Sequence, residues 1–150
     1  MVAYQVGSGP ATRRPLATVG AVLHHVTLWV PDLARADESW SWLLGELGYV
    51  RDGSLANVAL FRHGGFAIAL EQSADMVEGM LYSRMRPGLN HVAFNVDPEV
   101  GLGRLIGQCG EHGWSALPVD GHPVAGGAEV AYLEDRDGFE VELVAPTPRD

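Results

Sequence analysis

Two stretches decide how this chain reads: "LHHVTLWV" at residues 23–30 and "LNHVAFNV" at residues 89–96. Each alternates like a strand, and each carries a histidine followed by valine. With an offset of 66, Leu23, His25, Val26 and Val30 fall on Leu89, His91, Val92 and Val96. A repeat of this kind sets the architecture before any motif does.

The segments after the two strands also repeat. Asp32 is placed to cap a helix over "LARADESWSWLLGEL", with Leu33, Ala36, Trp40, Leu43, Leu44 and Leu47 at helical spacing. The second helix is expected to open in "DPEVGLGRLIGQCGEHG", with Asp97 as cap and Pro98 at the first helical position. Each helix ends at a glycine followed by an aromatic, Gly48-Tyr49 and Gly113-Trp114. Residues 57–72 then read as a hairpin turning at His63-Gly64-Gly65, and residues 128–145 as another turning at Asp135–Gly138. Aligning Gly65-Phe66 with Gly138-Phe139 pairs Ile68 with Val141 and Leu70 with Leu143.

The expected fold class is therefore α+β: two tandem βαβββ modules, residues 22–72 and 89–146, joined by a connection at 73–88. Residues 1–21 read as a loosely attached arm and 147–150 as a tail. Two half-sheets too small to stand alone should pack into one curved, partly open mixed sheet around a central cavity. With helices outside, matched histidines on matched strands would face each other across that cavity.

Composition narrows the function. A chain of 150 residues with 47% apolar and 19% charged residues suits one soluble domain with a real core. No apolar stretch approaches the roughly 20 residues that cross a bilayer, so no membrane role is expected. The net charge is −9, lysine is absent, and the ten arginines are scattered, which argues against nucleic acid as a partner. The single Cys109 excludes an intrachain disulfide framework and a thiolate zinc cluster. It reads as a small apolar residue in a helix, and a cytoplasmic location is expected.

"LHHVTLWVPDL", "LNHVAFNV" and "DRDGFEVELV" together resemble the vicinal oxygen chelate superfamily, also called the glyoxalase/bleomycin resistance protein/dioxygenase family. The resemblance spans residues 22–146, and its strongest piece is D-x-D-G-x-x-x-E-L at Asp135, Asp137, Gly138, Glu142 and Leu143. Arg136 stands where the family usually has proline, and Phe139 where it often has asparagine. The resemblance implies a divalent metal held by His25, His91 and Glu142, with substrate oxygens completing its coordination. It also implies a small-molecule substrate or ligand and a homodimer. Two imidazoles and a carboxylate suit Zn, Ni, Mn or Fe. The fourth family position falls on Ala69, which coordinates nothing. Glu71, two residues on and on the same strand face, lies roughly 6–7 Å further along; with Glu142 it is a candidate for proton transfer. Strand alternation puts His25 with Thr27 and Trp29, and His24 on the other face.

Around the cavity, Trp29, Phe61, Phe94 and Tyr132 are candidate stacking surfaces. His122, in "DGHPVAGG", belongs to a loop placed to close over it. His63 reads as part of a solvated turn and His112 as a helix-end residue facing the dipole. "GLGRLIG" at 101–107 misses dinucleotide spacing and lies in a helix. Three functions compete. The first is a metal-dependent lyase or isomerase acting on a small oxygen-bearing substrate. The second is an antibiotic-type binding or resistance protein without catalysis, and the third an Fe(II) extradiol-type dioxygenase. Keeping all three ligand residues favours the first. The nine residues from His122 to Tyr132 are too many for the dioxygenase signature that the resemblance would bring.

Overall fold

The computed structural model describes residues 23–80, 82–118 and 128–145. His122, the N-terminal arm and the C-terminal tail lie outside the described residues. Two mixed four-stranded sheets make up the fold, both open. The first contains β1 (His25–Trp29), β2 (Val50–Leu55), β3 (Val58–His63) and β4 (Phe66–Glu71), in the order β1-β4-β3-β2. The second repeats it with β5 (His91–Asn95), β6 (Trp114–Leu117), β7 (Glu129–Asp135) and β8 (Glu140–Ala145), in the order β5-β8-β7-β6. In each, the first strand pairs in parallel with the last and has no other strand beside it among the described residues.

Helix α1 (Leu33–Glu46) forms as its sequence requires. The Asp32 side chain accepts from the Arg35 amide at 3.0 Å, satisfying an amide that has no partner within the helix. At the other end Gly48 takes φ +80°, and the Tyr49 amide bonds the Leu44 carbonyl at 2.8 Å, a Schellman closure.

Helix α2 is shorter than expected. Asp97 accepts from the Glu99 amide at 2.9 Å, but this closes only a turn. Gly101 then adopts φ +79°, which breaks helical continuity, so α2 runs from Leu102 to Gln108. A 3₁₀ turn, Cys109–His112, carries the chain to Gly113 at φ +81°.

The helices lie against one continuous core shared by both sheets. Leu28, Ile68 and Leu70 from the first sheet and Val141 and Leu143 from the second meet Trp40, Leu43, Leu44 and Leu105 there. The joint between modules centres on α1. Trp40 packs edge-on against Trp114, with ring centroids 5.1 Å apart, and donates to Asp135 Oδ2 at 2.9 Å. Trp114 donates in turn to the Ser39 carbonyl at 3.0 Å. Asp135 Oδ1 accepts from the amides of Asp137 and Phe139, both at 2.9 Å, which ties down the turn between β7 and β8.

Burial outweighs these three donors and holds the Asp135 carboxyl above the usual aspartate range. The folded state therefore keeps that proton more tightly than the unfolded chain does. The linked stability is present at acid pH and falls as pH rises through the folded pKa. Asp135→Asn places an amide donor against groups that all donate, so stability in urea unfolding should drop by about 1–3 kcal/mol. The gap from wild type should be widest at the acid end and narrow as pH rises.

Candidate functional site

The register of the second sheet brings three chemical groups onto one face. β5 and β8 set His91 opposite Glu140 and Ala93 opposite Glu142, and β7 sets Tyr132 opposite Glu142. In "EVELV" the two glutamates share the face away from the core, because Val141 and Leu143 are the residues buried in it. The His91 ring lies between them: Nε2 is 3.1 Å from Glu142 Oε2, and Nδ1 is 4.0 Å from Glu140 Oε1. Tyr132 sits edge-on to His91, ring centroids 5.9 Å apart, and stands opposite Glu142 across the β7–β8 pair. Burial first, and then the Glu142 charge, push the Tyr132 pKa up, so its hydroxyl keeps its proton and is available to donate.

Arg84, from the connection, covers this face. It forms ion pairs with Glu134 and with Glu140, whose Oε2 lies 3.0 Å from Arg84 Nε. That contact is close but not aligned as a hydrogen bond, and both oxygens of the fully buried Glu140 side chain lack a hydrogen-bond donor. Glu140 is not among the residues singled out by sequence, and Arg84 is one of three arginines, with Arg62 and Arg86, that the sequence leaves unplaced near the site. The alternation that selects Glu142 also selects Glu140, two residues earlier; nothing local in the sequence announces Arg84.

The first sheet holds the matching positions differently. His25, Thr27 and Trp29 are turned away from the core, while Leu28 is buried in it. β1 and β4 pair Thr27 with Ala69, as β5 and β8 pair Ala93 with Glu142, so Ala69 does occupy the place of Glu142. Glu71 is two residues beyond, and its Oε2 accepts from the Trp29 indole at 3.1 Å. The expected meeting of His25 with His91 is not made within the chain. Each imidazole lies on the face of its own sheet opposite the shared core, and among the described residues no three His, Cys, Asp or Glu side chains gather to hold a metal.

A cavity of about 760 Å³ runs along the strand starts, lined by Val26, Tyr49, Phe66, His91, Val92 and Phe94 among others. Its size suits a small organic ligand. Phe61 does not reach it: contrary to expectation, it pairs with Ile68 on the core face, 3% exposed, with Arg51 over its ring. Phe94 is likewise buried in the core, three residues from His91 and so on the opposite side of the strand, although its edge reaches the cavity. His63 belongs to the cavity wall, tilted against Tyr49 with centroids 5.3 Å apart, rather than to a fully solvated turn. The donor chemistry of the second sheet fits a divalent cation, since an imidazole nitrogen and a carboxylate oxygen converge there and His91 borders the cavity.

The sequence profile of the Glyoxalase/Bleomycin resistance protein/Dioxygenase superfamily matches residues 24–132. The chain belongs to that superfamily. The uncharacterised protein YqjT of Bacillus subtilis (strain 168) is 32% identical over 127 residues, covering 83% of this chain and 99% of YqjT. The crystal structure of a candidate glyoxalase from Bacillus halodurans superposes with a TM-score of 0.74 at 35% identity, covering 84% of this chain and 96% of the other. The fosfomycin resistance protein FosX from Mesorhizobium loti shares the fold, with a TM-score of 0.59 at 23% identity over 85% of this chain and 93% of FosX. The two open sheets are those of this superfamily, and no described helix is long and apolar enough to cross a membrane.

On the superfamily scaffold, Arg84 is the cation that accompanies the buried Glu140. Arg84→Ala should cost about 3 kcal/mol in denaturant unfolding, because a buried carboxylate loses its counter-charge. Adding Glu140→Gln to that variant should recover a large part of the loss.

Proposed function

We propose that this chain is a divalent-metal-dependent enzyme of lyase or isomerase type, acting on a small oxygen-bearing substrate. The observation that carries this reading is the 3.1 Å approach of His91 Nε2 to Glu142 Oε2. His91 Nδ1 lies 2.8 Å from Asn90 Oδ1, so the ring's proton is engaged on that side. An imidazole lone pair and a carboxylate then face each other, an arrangement that a bound cation would satisfy. His91 and Glu142 would hold the metal, and the metal, when bound, would polarise a chelated substrate oxygen.

His25 is the third ligand in this proposal, delivered by a second copy of the chain. The outward turn of both histidine-bearing faces supports that assembly, because each copy offers the half that the other needs. Glu71, on the His25 face and oriented by the Trp29 indole, is the carboxylate available to move a proton at its Oε2. Tyr132, which keeps its proton and stands opposite Glu142, is placed to donate to that carboxylate. The apolar cavity wall excludes water from one side of the site. The cytoplasm is the compartment proposed, in keeping with the lone buried Cys109.

A second reading is favoured by the same cavity: an antibiotic-type binder that holds an apolar ligand without chemistry. Elemental analysis of untagged protein separates the two. Close to one equivalent of zinc, nickel, manganese or iron per chain is expected, and it should be lost in His91→Ala and in Glu142→Ala. Mixing inactive His25→Ala with inactive His91→Ala chains should restore up to half of the metal binding, since one of the two shared sites then has all its ligands. A wild type that neither contains nor takes up metal would leave the binder; metal binding without recovery on mixing would put the site within one chain.

A further inference from the structure

We infer that Asn90 and His24 are positioning residues that fix the tautomers of His91 and His25. Adjacent residues on a strand point to opposite faces, so a bond between their side chains is unusual. Here it occurs twice, at the same place in the repeat. Asn90 Oδ1 lies 2.8 Å from His91 Nδ1, and His24 Nδ1 lies 2.8 Å from His25 Nδ1. Both pairs stand at the start of a strand that has a neighbour on one side only among the described residues, which leaves the preceding side chain room to curl round.

The direction of the Asn90 bond is set by its other contact. Asn90 Nδ2 donates to the Arg84 carbonyl at 3.3 Å, so the oxygen is the atom facing the ring, and His91 Nδ1 must be the donor. A neutral imidazole has one N–H; with it engaged at Nδ1, the lone pair at Nε2 is directed towards Glu142. In the first module the short Nδ1–Nδ1 contact holds one proton between two like atoms; assigning it to His25, on the pattern of the second module, puts His24's own proton on Nε2 and directs the His25 Nε2 lone pair to the exposed face. A hydrogen bond to the far nitrogen is what orients a ligand histidine and sets its basicity. The consequence for metal binding rests on the metal-enzyme reading; the tautomers themselves do not.

The test is long-range ¹H–¹⁵N correlation of metal-free, ¹⁵N-labelled protein at about pH 8, where histidines are neutral. Signals are assigned with His25→Ala and His91→Ala. Both rings should show the Nδ1–H pattern. Asn90→Ala should return His91 alone to the ordinary tautomer mixture, and His24→Ala should do the same to His25 alone. His24→Asn, which copies the second module, should keep the Nδ1–H form. In parallel, Asn90→Ala should weaken Mn²⁺ or Zn²⁺ binding by about 10–100-fold. Nε2–H in the wild type, or an unchanged His91 tautomer in a folded Asn90→Ala protein, overturns the inference. A wild type with the expected tautomers that binds no metal upholds it and overturns the metal enzyme instead.

Discussion

The Asp135 carboxylate is the fastening on which the rest of this structure depends. Through one oxygen it holds two backbone amides of its own turn, and through the other it holds the Trp40 indole of the opposite module. One buried group thus shapes the loop of the D-x-D-G motif and docks α1 against the second sheet. The family signature that looks as if it should serve catalysis serves the joint between modules. The carboxylate of the proposed metal site comes four residues after Gly138, at Glu142.

That joint decides which way the sheets face. Because Trp40, Leu43 and Leu44 fill a core common to both, each sheet turns its apolar side to the other module and its histidine-bearing side outward. The second sheet compensates for its polar outward side with a local network. Tyr132 stands opposite Glu142, Arg84 balances Glu134 and Glu140, and Asn90 ties His91 to the connection. The first sheet carries only the Trp29–Glu71 and His24–His25 contacts there among the described residues: alanines occupy β4 at the positions of Glu140 and Glu142, and its histidine is exposed.

Local pattern carries most of the fold. The offset repeat, the Asp32 cap and the glycine ends of both helical segments are local events, and the alignment of Ala69 with Glu142 is reproduced by the strand register. The start of α2 escapes the sequence because Asp97-Pro98 is a good opening, while the left-handed Gly101 that cancels it looks like any other glycine. Phe94 and Phe61 are both buried in the core, but only Phe61 is lost from the cavity wall. Phe94 is an odd number of residues from His91, so alternation alone assigns it to the core; Phe61 needs the β3–β4 register. The relative placement of the modules is not legible in the sequence at all. It depends on a tryptophan reaching a carboxylate 95 residues away, and no periodicity encodes that.

Ala69 marks where the two halves of the chain ceased to be interchangeable. A duplicated module begins as two equal copies, each able to do the other's work. With a methyl group where its counterpart has a carboxylate, the first half carries its carboxylate on that face two residues further along, at Glu71, where the Trp29 indole holds it. A chain made of two first modules would set its carboxylates a strand step away from its imidazoles, while one made of two second modules would crowd negative charge beside them. In the proposed metal site, that unequal pairing is what would leave room for a substrate oxygen.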